Sequence, residues 1–221
     1  MSVLAGKRVV MVTAHEFEDI EVLYPVLRLS EAGIMTTVAT LPKHAFAHFH
    51  ARTLHPTKPI TGRFGCTVPF IALAEGLRYR HVETTDLDPD DFDALVVPGG
   101  FAPDFLRVDE TTLRFVAAMH RAKKWVTAIC HGPQLLISTD ATHGTDIVRG
   151  RKVAGVEMIR DDLRNAGGEV TDAPAVVDGN VITSRCPDDL PEYCRAIIDA
   201  LRGDVQQGPH AATARPPSKH A

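Results

Sequence analysis

Cys130 is the most reactive placement in the chain: it follows the apolar run 125–129 and is followed at once by His131, Gly132 and Pro133. A thiol on a tight turn between a strand and a helix is presented at the carboxyl end of a sheet, with nearby N–H groups left free for an oxyanion. The partial positive charge at the start of the following helix favours the thiolate, the nucleophilic form. Small Gly132 lets a substrate approach. A buried structural cysteine at a strand end shows the same local pattern. Pro98-Gly99-Gly100 ends a second apolar run, and glycines there expose backbone N–H groups without a Cβ in the way, which makes Gly99 and Gly100 candidates for oxyanion binding. An ordinary glycine turn reads identically. Of the acids Glu16, Glu18, Asp19 and Glu21, most complement a helix dipole on a solvated face. Glu21 differs, because one turn before Pro25 it can project toward the sheet edge that carries Cys130. A carboxyl buried against a cysteine is favoured in its protonated form and can donate a hydrogen bond to the thiolate.

Regular elements must hold these groups. Residues 7–13 and 34–40 have the β-branched pattern of strands, and apolar Phe17, Ile20, Leu23, Tyr24, Leu27 and Ala32 recur at helical steps between them, with Pro25 as a kink. That is one βαβ unit, which implies a parallel sheet with a right-handed crossover. Residues 61–65 read as a turn between short strands, and 71–77 as a short helix or an edge strand. Strands are expected at 92–97, 125–129, 176–177 and 181–183, and helices at 112–122, 134–138, 156–166 and 191–201. The alternation gives an α/β fold with a doubly wound, mostly parallel sheet and helices on both faces.

Composition narrows the function classes. The chain has 221 residues and a formal net charge of −4, without the basic stripe that nucleic-acid binding requires. Hydrophobic residues at 44% and charged ones at 24% place it among folded globular chains. Apolar runs fall well short of the ~20 residues of a membrane span, and residues 1–7 lack a signal-peptide layout, so no membrane partner and a cytoplasmic location are expected. One domain over 1–202 is expected, then a mobile tail, 203–221. Cys66, Cys130, Cys186 and Cys194 are spaced as neither a disulfide framework nor a zinc site. His44, His48, His50 and His55 crowd into one proline-flanked stretch, which is favoured as a surface excursion packing on a partner subunit over a zinc or copper site. Neither a metal nor a cofactor is expected.

The blocks 17–25, 93–100 with Ala102-Pro103-Asp104, 128–138 and 182–185 resemble, in order and over most of 7–202, the ThiJ/PfpI superfamily, and most closely its PfpI-type intracellular peptidases. The resemblance implies a flavodoxin-like, class I glutamine amidotransferase-like core with a nucleophile elbow. It also implies Cys130 as nucleophile, His131 as base, Glu21 as the buried acid bonded to the cysteine, and the N–H groups of Gly100 and His131 as oxyanion hole. Gly99, Glu18 and Gly132 join the oxyanion and substrate-binding set. Asp104 stands where PfpI-type chains place a glutamate that reaches the histidine across a subunit interface, one methylene shorter here. Insertions are expected near 41–60 and 139–149. The implied activity is cysteine-dependent, on small reactive carbonyls (glyoxalase- or deglycase-like) or on peptide or amide bonds, in a homodimer or hexamer. Two alternatives stay open. One is a non-catalytic redox-sensing or chaperone-like stress protein using Cys130 oxidation. The other is a hydratase or hydrolase of specialised metabolism, against which His131 argues, because the family's isonitrile hydratases usually lack it.

Overall fold

A computed structural model describes residues 4–42 and 59–205. The strands are β1 (Arg8–Thr13), β2 (Met35–Thr40), β3 (Ile60–Thr61), β4 (Thr67–Val68), β5 (Tyr79–Glu83), β6 (Ala94–Val97), β7 (Trp125–Ile129), β8 (Lys152–Val153), β9 (Glu169–Val170), β10 (Val176–Asp178) and β11 (Val181–Ser184). The helices are α1 (Asp19–Glu31), α2 (Ala102–Leu106), α3 (Glu110–Arg121), α4 (Pro133–His143), α5 (Arg160–Asn165) and α6 (Leu190–Arg202). Seven strands form the central sheet in the order β10-β11-β7-β6-β1-β2-β5, parallel except for the β10–β11 pair. The chain builds outward from β1 through β2 to β5, then returns to the other side through β6, β7 and β11. The direction therefore reverses between β1 and β6, where a doubly wound sheet opens a crevice at the carboxyl ends of its strands.

Strands covered on both faces read as unbroken apolar runs, and β6 and β7 are buried at every position. Helices α1 and α6 pack together, and α3 and α4 form a second packed pair. The described chain has no helix long and apolar enough to cross a membrane.

Four expectations need correction. Residues 71–77 form neither helix nor strand; the edge strand is β5, whose Arg80, His81 and Glu83 hide the strand pattern because one side of it meets solvent. In α1 the buried face is Asp19, Glu21, Val22, Pro25, Val26 and Leu29, so the stripe read from the sequence has the wrong phase: Ile20 is 49% exposed and Leu27 47%. Helix α4 runs on to His143, so part of the connection expected at 139–149 is helical. Between β6 and α3 the short helix α2 carries Asp104, and the segment 157–165 starts as a 3-10 turn before α5. Residues 43–58, with all four clustered histidines, and 206–221 of the expected tail lie outside the described residues.

Candidate active site

Strand β7 is buried throughout and ends at Ile129, and Cys130 then takes φ 60°, a left-handed conformation that costs a non-glycine residue roughly 1–2 kcal/mol. Neighbouring bonds enforce it: the Cys130 N–H donates to the Ser184 carbonyl at 3.2 Å, and its carbonyl accepts from Val156 N at 3.1 Å. Gly132 starts the turn into α4 by donating to the Ile129 carbonyl at 2.8 Å. A Cβ on Gly132 would strike the Val97 carbonyl and lie 2.8 Å from that of Ile129, so close packing requires glycine there.

The loop after β6 is laced to the loop after β1. Glu18 N donates to the Gly99 carbonyl at 3.3 Å and Phe101 N to the Glu16 carbonyl at 2.8 Å, which pairs Phe17 with Gly100 as an isolated bridge. Gly100 has φ 72°, and a Cβ on it would collide with the backbone of residues 16–18. A Cβ on Gly99 would sit 2.7 Å from Cβ of Cys130 and 2.8 Å from His131 N, so the P-G-G turn presses against the nucleophile. The N–H groups of Gly100 and His131 both favour charge on the Cys130 sulfur. These are the donors that an oxyanion hole needs.

Glu21 projects from α1 into the same space. It is fully buried, and its Oε2 accepts the Gly99 N–H at 2.6 Å. Oε1 is buried without a geometric hydrogen-bond partner, and the Cys130 thiol is the side chain that bears most closely on the carboxyl. Burial raises Glu21 to about 7, partly opposed by the Gly99 N–H and by Cys130. Burial and then the charge of Glu21 push the Cys130 thiol well above its ordinary value. This corrects the expectation that the helix terminus favours the thiolate, because desolvation outweighs it. Below about 7 both groups keep their protons; above it the pair holds one negative charge, carried by Glu21, and the thiolate forms as the thiol proton passes to that carboxylate. His131 Nδ1 lies 3.3 Å from the Cys130 sulfur. Burial lowers the pKa of His131, Asp104 opposes the shift and Arg63 adds to it, so a neutral imidazole faces the thiol.

The DJ-1/PfpI family model matches residues 7–200. This chain belongs to that family. It is 37% identical to YraA of Bacillus subtilis, named as a candidate cysteine protease, over 89% of this chain and 99% of that protein. With a deglycase of Thermococcus kodakarensis it shares 38% identity, over 88% of this chain and 99% of the relative. Among solved structures, a two-domain protein of Anabaena variabilis with DJ-1/ThiJ/PfpI-like and ferritin-like domains matches with TM-score 0.69 at 34% identity, covering 88% of this chain and 48% of that one. Drosophila melanogaster DJ-1beta matches with TM-score 0.69 at 21% identity, over 89% and 91% of the two chains, a likeness of fold.

In this DJ-1/PfpI chain the structure brings together Cys130, His131, Glu21, Gly99, Gly100 and Gly132. Asp104 stands apart: on α2 it pairs with Arg107 at 3.9 Å and makes no hydrogen bond to His131 among the described residues, so within one chain no triad forms. Glu18 is half-buried and paired with Arg63 Nη1 at 3.2 Å. Two residues escaped the sequence reading. Asp19 is a clamp, not a solvated dipole complement: its carboxylate accepts from Phe64 N at 2.9 Å and Cys66 N at 2.7 Å, pinning the β3–β4 hairpin to the start of α1. That hairpin delivers Arg63, whose charge reaches both His131 and Glu21. The signal in the sequence was the polar turn 61–65 itself; its distance in the chain from Cys130 hid the contact. Among the described residues no group of His, Cys, Asp and Glu is disposed to hold a metal.

Proposed function

We propose that this chain is a cofactor-independent, Cys130-dependent enzyme of small 2-oxoaldehydes and their adducts, a glyoxalase- or deglycase-like activity. The observation that carries the reading is the buried Glu21 carboxyl against the Cys130 thiol, with Glu21 raised to about 7, because it places a proton-transfer pair at the nucleophile. The name of the Thermococcus relative, a deglycase, agrees with this class, and that of YraA, a candidate cysteine protease, agrees with a catalytic cysteine.

The sulfur of Cys130 adds to the aldehyde carbon, and the new alkoxide is held by the N–H groups of Gly100 and His131. Glu21 takes the thiol proton as sulfur adds; His131 then takes the proton from the former aldehyde carbon, Glu21 gives its proton to the neighbouring carbon of the enolate, and His131 gives its own to the oxygen on that carbon, which restores both groups. The resulting thioester of a 2-hydroxy acid is hydrolysed by water, which frees the thiol. The sum adds one water to the 2-oxoaldehyde and needs no external oxidant. Peptide hydrolysis is less well served, since no described acid orients His131 and Cys130 is only 8% exposed.

The test is a panel of methylglyoxal, glycated peptide and fluorogenic peptide with wild type and Cys130→Ala. Lactate formation that disappears in the variant is expected. Full turnover by Cys130→Ala, or faster cleavage of peptide than of methylglyoxal, overturns the assignment.

A further inference from the structure

A cation that forms no bond in the chemistry above lies near enough to the site for its charge to bear on both His131 and Glu21. Arg63 sits on a hairpin fixed at three points: Asp19 holds Phe64 N and Cys66 N, Arg63 N donates to the Phe17 carbonyl at 3.0 Å, and Glu16 N donates to the Thr61 carbonyl at 2.8 Å. Its guanidinium carbon lies 5.1 Å from the ring centroid of Phe101, the residue after the oxyanion donor Gly100, and 5.7 Å from that of Phe64. Glu18 takes Nη1, while Nη2 and Nε have no partner among the described residues. The side chain is 40% exposed, and Phe64 and Phe101 beside it are exposed. A guanidinium held between aromatic rings with one edge free presents a planar fork that matches a carboxylate.

We propose that Arg63 determines the specificity of this site and selects 2-oxoaldehydes that carry a carboxylate a few bonds from the reacting carbon. The inference rests on the carbonyl chemistry proposed above. The reaction is unchanged: R–CO–CHO and water give R–CH(OH)–COO⁻ and a proton, and the distal carboxylate takes no part beyond binding. Glu18 acts as a brake, because its own carboxylate competes for the same guanidinium.

The test compares methylglyoxal with 4,5-dioxopentanoate on wild type, Arg63→Gln, Arg63→Lys and Glu18→Gln. Arg63→Gln is expected to raise the ratio of KM for the carboxylated substrate to KM for methylglyoxal about tenfold, the loss of a charge-assisted pair, whatever the removed charge does to the two substrates in common. Arg63→Lys falls between, having charge without the fork, and Glu18→Gln lowers KM for the carboxylated substrate. If Arg63→Gln moves both substrates alike or neither, the proposal is wrong. A second readout separates it from the reading of the reaction: protection of Cys130 from iodoacetamide by pentanoate and by pentanamide. Protection of wild type by pentanoate alone, lost in Arg63→Gln, supports the site even if no 2-oxoaldehyde is turned over. Equal protection by the two compounds, or protection that survives Arg63→Gln, overturns it.

Discussion

Replacing Glu21 by Gln should stabilise the protein, and by an amount that depends on pH. In the folded chain Glu21 is raised from 4.5 to about 7, chiefly by burial. Below the unfolded value both states hold the proton and the residue has no effect on stability. As pH rises from 4.5 to 7 the unfolded chain releases a proton that the folded chain keeps, so stability falls by about 1.4 kcal/mol per pH unit. Above the folded value the accumulated loss is about 3 kcal/mol. A glutamine is neutral throughout and retains an amide oxygen for the 2.6 Å bond from Gly99 N, so it avoids that loss. Urea unfolding of wild type and Glu21→Gln at half-unit steps from pH 5 to pH 8 reads the difference directly, and ends before the unfolded Cys130 thiol begins to titrate at its ordinary 9.0. The advantage of the variant should be small at pH 5 and grow by about 2–3 kcal/mol by pH 8. A flat difference, or one that shrinks with pH, would refute the claim that Glu21 is held protonated by burial.

Turnover of methylglyoxal should be low below pH 6 and rise through about 7 in kcat/KM, as the Glu21–Cys130 pair of the free enzyme loses its first proton; a kcat/KM flat from pH 5 to 8 contradicts this assignment. Gly132→Ala should destabilise the fold by about 2 kcal/mol or more in thermal or urea unfolding, because its Cβ meets the carbonyls of Val97 and Ile129, and a neutral outcome would mean that the elbow relaxes. Asp19→Ala should cost about 2 kcal/mol through two lost bonds to backbone N–H groups, and should raise amide exchange at Phe64 and Cys66 in hydrogen-exchange mass spectrometry. Light scattering is expected to give a mass of two or more copies of the 24.0 kDa chain.

The core was readable where burial is two-sided. Strands β1, β6 and β7 are continuous β-branched or apolar runs because helices cover both faces, and Pro98-Gly99-Gly100 and Cys130-His131-Gly132-Pro133 mark the strand ends that meet at the crevice. Helix α1 was placed correctly and Glu21 was read as facing Cys130, but the stripe was drawn through Ile20 and Leu27, because a pattern rule counts Asp19 as outward and polar when it is in fact buried beside Val22 and Val26. Strand β5 was missed because an edge strand carries charges. Arg63 and Asp19 were missed for a different reason: their roles exist only once a hairpin more than forty residues along the chain folds back onto the start of α1. Local pattern has no access to such closure.

Asp19 ties together two parts that the chemistry treats as separate. The turn of helix that begins at Asp19 carries Glu21, and the hairpin that Asp19 grips carries Arg63, so the acid beside the nucleophile and the proposed selector of the substrate are joined at Asp19. The Asp19 carboxylate, with the backbone bonds at Glu16 and Phe17, therefore couples the position of the hairpin to the start of the helix that carries Glu21. If Arg63 selects the substrate as proposed, substitutions that retune selectivity on the hairpin are to be screened for drift in the reactivity of Cys130.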